Sequence, residues 1–145
     1  EKAARGALIA RRYPWGDEAA TPDRADFDRF DHFAIQPMRR FAPNDYGLYA
    51  MSGGVWEWTR DWYDAAYYSV SAAVNPIGPA EAPQPNDGRP PQKAIRGGSW
   101  ADCGEVLRVS YRASLGSRSW RESGISGHRT PTIGFRLCRV ERAKS

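Results

Sequence analysis

The chain has 145 residues, 41% of them apolar, with six Trp, 14 Gly, 11 Pro and a net charge of +4. That length suits one domain and excludes two of ordinary size, and the mixture suits a turn-rich fold rather than a long-helix bundle. No apolar run approaches the ~20 residues that a membrane-spanning helix needs.

Taken in chain order, residues 1–10 read as the end of a helix, with Gly6 near its C-cap. The chain opens on Glu1, mid-helix and with no charged-then-apolar leader, as expected of a processed or truncated product. Tyr13-Pro14-Trp15-Gly16-Asp17 predicts a turn carrying a buried aromatic, and residues 21–38 a polar, aspartate-rich loop ordered by a ligand. Asn44-Asp45-Tyr46-Gly47 predicts a tight turn. Residues 54–59 alternate, which predicts a strand with Trp56 and Trp58 on one face and Glu57 on the other. Residues 72–91, rich in Pro, Gly and Ala, predict a long surface loop. Residues 94–100 predict a short strand ending in the Gly97-Gly98 turn, 107–112 an alternating strand, and 133–140 the last strand. Residues 113–132 hold no sustained period and predict an excursion from the framework.

Charge is uneven. From Lys93 onward eleven Lys/Arg stand against four Asp/Glu, a balance of +7, which leaves −3 for the remainder. A basic third attracts anions, but these arginines are spread singly, the pattern of side chains that bond backbone carbonyls in a loop-rich fold. Nucleic acid is therefore not an expected partner. Cys103 and Cys138 do not make a disulfide framework. Free, mostly buried thiols are expected, and the compartment stays open.

Four segments in order carry a resemblance: Ala3-Ala4-Arg5-Gly6 with Tyr13-Pro14-Trp15-Gly16-Asp17; Asn44-Asp45-Tyr46-Gly47-Leu48-Tyr49 running into Gly53-Gly54-Val55-Trp56-Glu57-Trp58-Thr59; Arg96-Gly97-Gly98-Ser99-Trp100; and Ile133-Gly134-Phe135-Arg136. Together they resemble the formylglycine-generating-enzyme (sulfatase-modifying factor) family. The resemblance implies one α+β domain over residues 1–145, of C-type-lectin-like fold, with short strands, few helices and much irregular chain. The family has a further N-terminal stretch, so an N-terminal segment or a partner chain is expected to complete the core.

Three activities follow from the resemblance. Family enzymes resemble copper oxidases that hold the metal with two cysteines shortly after the glycine-glycine-serine turn, and monovalent copper needs both thiolates. Here Cys103 lies four positions past Ser99, and the second place falls near Leu107, which cannot ligate. No copper is expected. A related sulfoxide-synthase type binds iron through histidines of a separate helical domain, and this chain has only His32 and His128.

Other members resemble the variable proteins of diversity-generating retroelements, whose randomised binding positions follow the glycine-glycine-serine-tryptophan turn and finish before the last strand. Residues 101–132 have that layout. Nearly all their residue types arise when the adenines of an asparagine codon are mutated; Glu105, Trp120 and Glu122 do not, and would be scaffold. The expectation is a non-catalytic module that binds a protein or small molecule through Trp100, Ala101, Asp102, Cys103, Val109, Tyr111, Ser114, Ser117, Ser119, Trp120, Arg121 and His128. Tyr, Trp, Ser, Gly and Arg are what adaptable recognition surfaces use. Of these, Asp102, Tyr111, Trp120, Arg121 and His128 are expected to be solvent-accessible on one side.

The resemblance also implies calcium. One site would use the carboxylates of Asp26 and Asp31 with the backbone oxygens of Phe27 and Phe33, a hard-oxygen set of the kind calcium takes. A second would have only Glu57 with the carbonyls of Gly53 and Val55, because Ala50 stands where a side-chain oxygen is needed; it is expected to be weak or empty.

Overall fold

Among the described residues strands are few and turns carry most of the backbone. The computed structural model describes residues 1–30, 35–84, 91–116 and 131–138. Helix α1 (Lys2–Arg5) stops at Gly6, whose φ of 67° is the expected end for a residue without a Cβ. Its last carbonyls are satisfied from far along the chain. Asn44 Nδ2 donates to the carbonyls of Ala3 (2.6 Å) and Ala4 (3.1 Å), while its Oδ1 accepts from the N–H groups of Tyr46 and Leu48. One buried amide thus fixes both the helix end and the 44–47 turn.

Four strands form one sheet: β1 (Trp56–Trp62), β2 (Gln92–Arg96), β3 (Ala113–Gly116) and β4 (Ile133–Phe135), in the order β3-β2-β1-β4. β1 runs antiparallel to β2 with Glu57 opposite Arg96 and Trp58 opposite Ile95, and an irregularity separates Trp58 from Trp62. β2 and β3 are antiparallel, and β1 and β4 are parallel. A small mixed sheet with one short α-helix is an α+β arrangement. No helix of the described residues is long and apolar enough to cross a membrane.

The core lies where turns meet the sheet. Tyr13, Ala25 and Leu107 form one buried cluster, with Trp15, Ala20 and Phe27 packed against it. The Tyr13 and Trp15 rings stack at 5.0 Å, nearly parallel, so the expected 13–17 turn carries its buried aromatic in Tyr13. Trp56, Ile95, Trp100, Phe41 and Val109 are buried as well. Leu107 is fully enclosed, worth about 2 kcal/mol of apolar burial. Two glycines make this closeness possible. A Cβ on Gly53 would sit 2.5 Å from the Asp26 carbonyl, and one on Gly98 would sit 3.1 Å from Leu107 Cδ1; both have positive φ.

Residues 107–112 are not the strand that alternation predicted. Gly104–Leu107 is a 3-10 helix, the chain then turns, and the strand begins at Ala113 within the stretch expected to be an excursion. The reason is how the backbone is satisfied. Arg96 donates to the carbonyls of Val109, Ser110 and Tyr111, so this segment buries Leu107 and Val109 without a ladder partner. The cysteines also differ from expectation: Cys103 and Cys138 are not joined in a disulfide, and both are exposed rather than buried. Cys103 sits at the N-cap of the 3-10 helix and Cys138 lies beyond β4, neither of them in a core-facing position.

Candidate ligand-binding surface

The turn after β2 sets out the candidate surface. Ser99 is buried, and its N–H and Oγ both donate to Asp102 Oδ2, at 2.8 and 2.6 Å. Asp102 N–H returns a bond to the Ser99 carbonyl. The Asp102 carboxylate therefore closes a local turn. The same turn is tied to the aspartate-rich loop, because Asp28 N–H donates to the Asp102 carbonyl and Arg29 N–H to that of Trp100.

Trp100 is a core residue, 4% exposed, and its indole N–H reaches the Pro131 carbonyl at 3.3 Å. Next to Pro131, Thr132 accepts from Trp56 N–H. The far end of the 101–132 segment is thereby anchored beside its start. Trp100 and Val109 were expected to contact ligand; the structure places both side chains in the core.

Other expected residues stand nearer the surface. Cys103 is exposed, and Ala101, Asp102, Tyr111 and Ser114 are half-buried. Tyr111 packs at a tilt against Trp56, 6.1 Å between centroids. Ser114, on β3, donates to the Gln92 side chain across the ladder. Ser117, Ser119, Trp120, Arg121 and His128 lie outside the described residues, so of the five residues expected on one side only Asp102 and Tyr111 are described. Glu105 and Ser110, which sequence reasoning did not assign to binding, are exposed along the same segment.

Of the expected calcium set, Asp26 and Phe27 are described, whereas Asp31 and Phe33 lie outside the described residues. Asp26 is 3% exposed. Its Oδ1 accepts from Arg29 at 2.9 Å and its Oδ2 from Gln36 N–H at 3.3 Å. A guanidinium already neutralises this carboxylate, and a divalent ion would have to displace it. Among the described residues no group of three or more His, Cys, Asp or Glu is placed to hold a metal. The described half of the set does not fit calcium. At Glu57, the second implied site, the carboxylate is gripped by Arg136.

Sequence reasoning passed over a cleft of about 440 Å³ lined in part by Asp61, Trp62, Tyr67, Tyr68 and Arg112. The run Trp62-Tyr63-Asp64-Ala65-Ala66-Tyr67-Tyr68 was the available signal, four large rings in seven residues directly after a strand.

A frame of this kind, a small mixed sheet with a glycine turn after β2, defines an α+β domain. The model of the sulfatase-modifying factor enzyme 1-like domain matches residues 1–141, and the chain belongs to that family. It is 34% identical over 148 residues to the formylglycine-generating enzyme of Streptomyces coelicolor, covering 94% of this chain and 43% of that protein. It is 42% identical over 129 residues to the inactive Cα-formylglycine-generating enzyme 2 of Bos taurus, covering 81% of this chain and 35% of that one. The chain thus spans less than half the length of these relatives. Among solved structures, Treponema denticola variable protein 1 superposes with a TM-score of 0.57 at 23% identity, over 92% of this chain and 42% of that one. The fold is the C-type-lectin-like arrangement that the four segments implied.

Proposed function

We propose that this chain is a non-catalytic ligand-binding module that displays a recognition surface from residues 101–132, in the manner of a diversity-generating-retroelement variable protein. The observation that carries the reading is Leu107. The second metal-binding thiolate of a copper oxidase is needed near this position, and an apolar side chain with no exposed surface stands there. One thiolate, Cys103, faces solvent without a partner cysteine, and near-linear copper(I) needs two. The frame also suits display: Ser99, Trp100, Leu107 and Val109 hold the segment down while Cys103, Glu105 and Ser110 face outward. The likeness to the Treponema protein supports the frame. The ligand is a protein or a small molecule, fixed by local side chains rather than by fold.

A second reading rests on the 34% identity to the Streptomyces enzyme: a copper-dependent oxidase acting on a cysteine-containing peptide. Sequencing the flanking DNA separates the two. The display reading predicts a reverse-transcriptase gene and a near-copy of the 101–132 coding stretch differing at adenines. Flanks without either remove the retroelement reading.

A further inference from the structure

The cleft of about 440 Å³ beside β1 holds charged groups with hydrogen-bonding capacity to spare. Arg112 is the clearest case. Its guanidinium lies 4.0 Å over the Tyr68 ring and 5.5 Å from that of Tyr63. Nη1 donates to the Asp64 carbonyl at 3.3 Å, and the remaining N–H groups bond no described residue. The Tyr68 ring is itself aimed, because its hydroxyl donates to Glu1 Oε1 at 2.8 Å. A guanidinium held over a ring and fixed at one corner is pre-organised to take a carboxylate with its remaining donors.

Asp61 supplies the opposite charge. It lines the same cleft, and its carboxylate is held by no hydrogen bond or close ion pair of a described residue, with the Glu1 amino group near enough to attract it. The chain folds back onto it at Gly78: a Cβ there would meet Asp61 Cβ and Cγ at 3.0 Å, and φ is +81°. Only glycine lets the 76–79 loop wall the cleft this closely. The other walls are rings. Trp62 is covered on one face by Lys93, 3.7 Å from its centroid, and Lys93 is not part of the cleft. Tyr67 is half-buried beside it. By contrast Glu1 and Arg96 pair with each other at 2.9 Å and are spent.

We propose that this cleft binds the zwitterion of an α-amino acid with a ring-bearing side chain. Arg112 takes the carboxylate, Asp61 the ammonium, and Trp62 and Tyr67 receive the ring. The site gives a role to Arg112, Asp61 and the aromatic wall, with Lys2 also on its lining, in a volume within the ordinary range of small-ligand pockets, on the order of 300–1,000 Å³. It shares only Arg112 with the 101–132 segment, so its failure would leave the display reading standing.

The test is a titration of the whole chain, followed by ligand-observed NMR, with L-phenylalanine, N-acetyl-L-phenylalanine and L-phenylalaninamide. Saturable binding of the free amino acid is expected at ~1 mM or tighter, with each derivative at least about tenfold weaker. Arg112→Gln should weaken the amino acid but not the amide, which has no carboxylate to lose. Asp61→Asn should weaken the amino acid but not the acetyl derivative. The comparison of the three probes on the unaltered chain stands even if a variant misfolds. No saturation by about 10 mM, or equal affinity for all three probes, overturns the proposal.

Discussion

Arg136 and Glu57 lock the edge strand β4 to β1. Arg136 Nε lies 2.9 Å from Glu57 Oε2 and Nη2 lies 2.7 Å from Oε1, and Nη2 also reaches the carbonyls of Tyr49 and Ala50 at 3.1 and 3.3 Å. A single guanidinium therefore ties together β1, β4 and the loop before Met51.

Removing that fork should destabilise more than a surface ion pair would. Both side chains are about three-quarters buried, and Arg136→Ala would strand one carboxylate and two carbonyls. The expected cost is about 2–3 kcal/mol, below the figure for a fully buried pair because solvent still reaches the site. Arg136→Lys should recover only part, since an ammonium cannot fork. Urea unfolding of the variants measures it. A loss under about 0.5 kcal/mol would mean that the pair is an ordinary surface contact.

Leu107 and Phe135 should differ sharply. Leu107 is fully enclosed against Tyr13 and Ala25, whereas Phe135 is 74% exposed on the edge strand. Leu107→Ala should cost about 2–5 kcal/mol and Phe135→Ser within about 0.5. Comparable losses in denaturant titrations would show that the core is placed elsewhere.

How much of this was legible depended on the kind of interaction. The 44–47 turn, the Gly6 helix end and the Gly97-Gly98 turn were readable because a residue's own backbone preference decides them. Trp56 in a strand was readable from period two. The conformation of 107–112 was not, because its carbonyls are satisfied by Arg96, a side chain more than ten residues away that alternation cannot reveal. The burial of Trp100 and Val109 was hidden for a related reason: position within a variable-looking stretch says nothing about which side chains turn inward. The Arg112 cleft needs the 76–79 loop to fold back on β1, which no local pattern shows.

Calcium separates an internal cation from a bound one. With Arg29 on the Asp26 carboxylate, the unaltered chain should gain no thermal stability from millimolar calcium. Arg29→Ala frees that carboxylate, and this variant should gain stability when calcium is added. A gain in the unaltered chain, lost on Asp31→Ala, would instead place a calcium ion in the loop that the family resemblance implies.

Acid should unfold the chain partly through Glu1. Burial pushes its carboxyl up, but the Tyr68 hydroxyl bond and the Arg96 guanidinium outweigh burial and hold it below the usual range. A carboxylate lowered by folding stabilises above its unfolded value, about pH 4.3, and that contribution disappears as pH falls through the folded value. Glu1→Gln should therefore be less stable than the unaltered chain near neutrality and show a shallower loss between about pH 4.3 and 2. Parallel acid-unfolding curves would contradict this role.

Leu107, fully buried, stands where the copper-oxidase reading would require a second thiolate. The direct test incubates the chain with copper(I), oxygen and a cysteine-containing sulfatase peptide, with the Streptomyces coelicolor enzyme alongside, and follows the peptide by mass spectrometry with hydrazine trapping of aldehydes. The expected result is an unchanged peptide cysteine with this chain and conversion with the Streptomyces enzyme. Catalytic formation of the aldehyde by this chain would contradict the account.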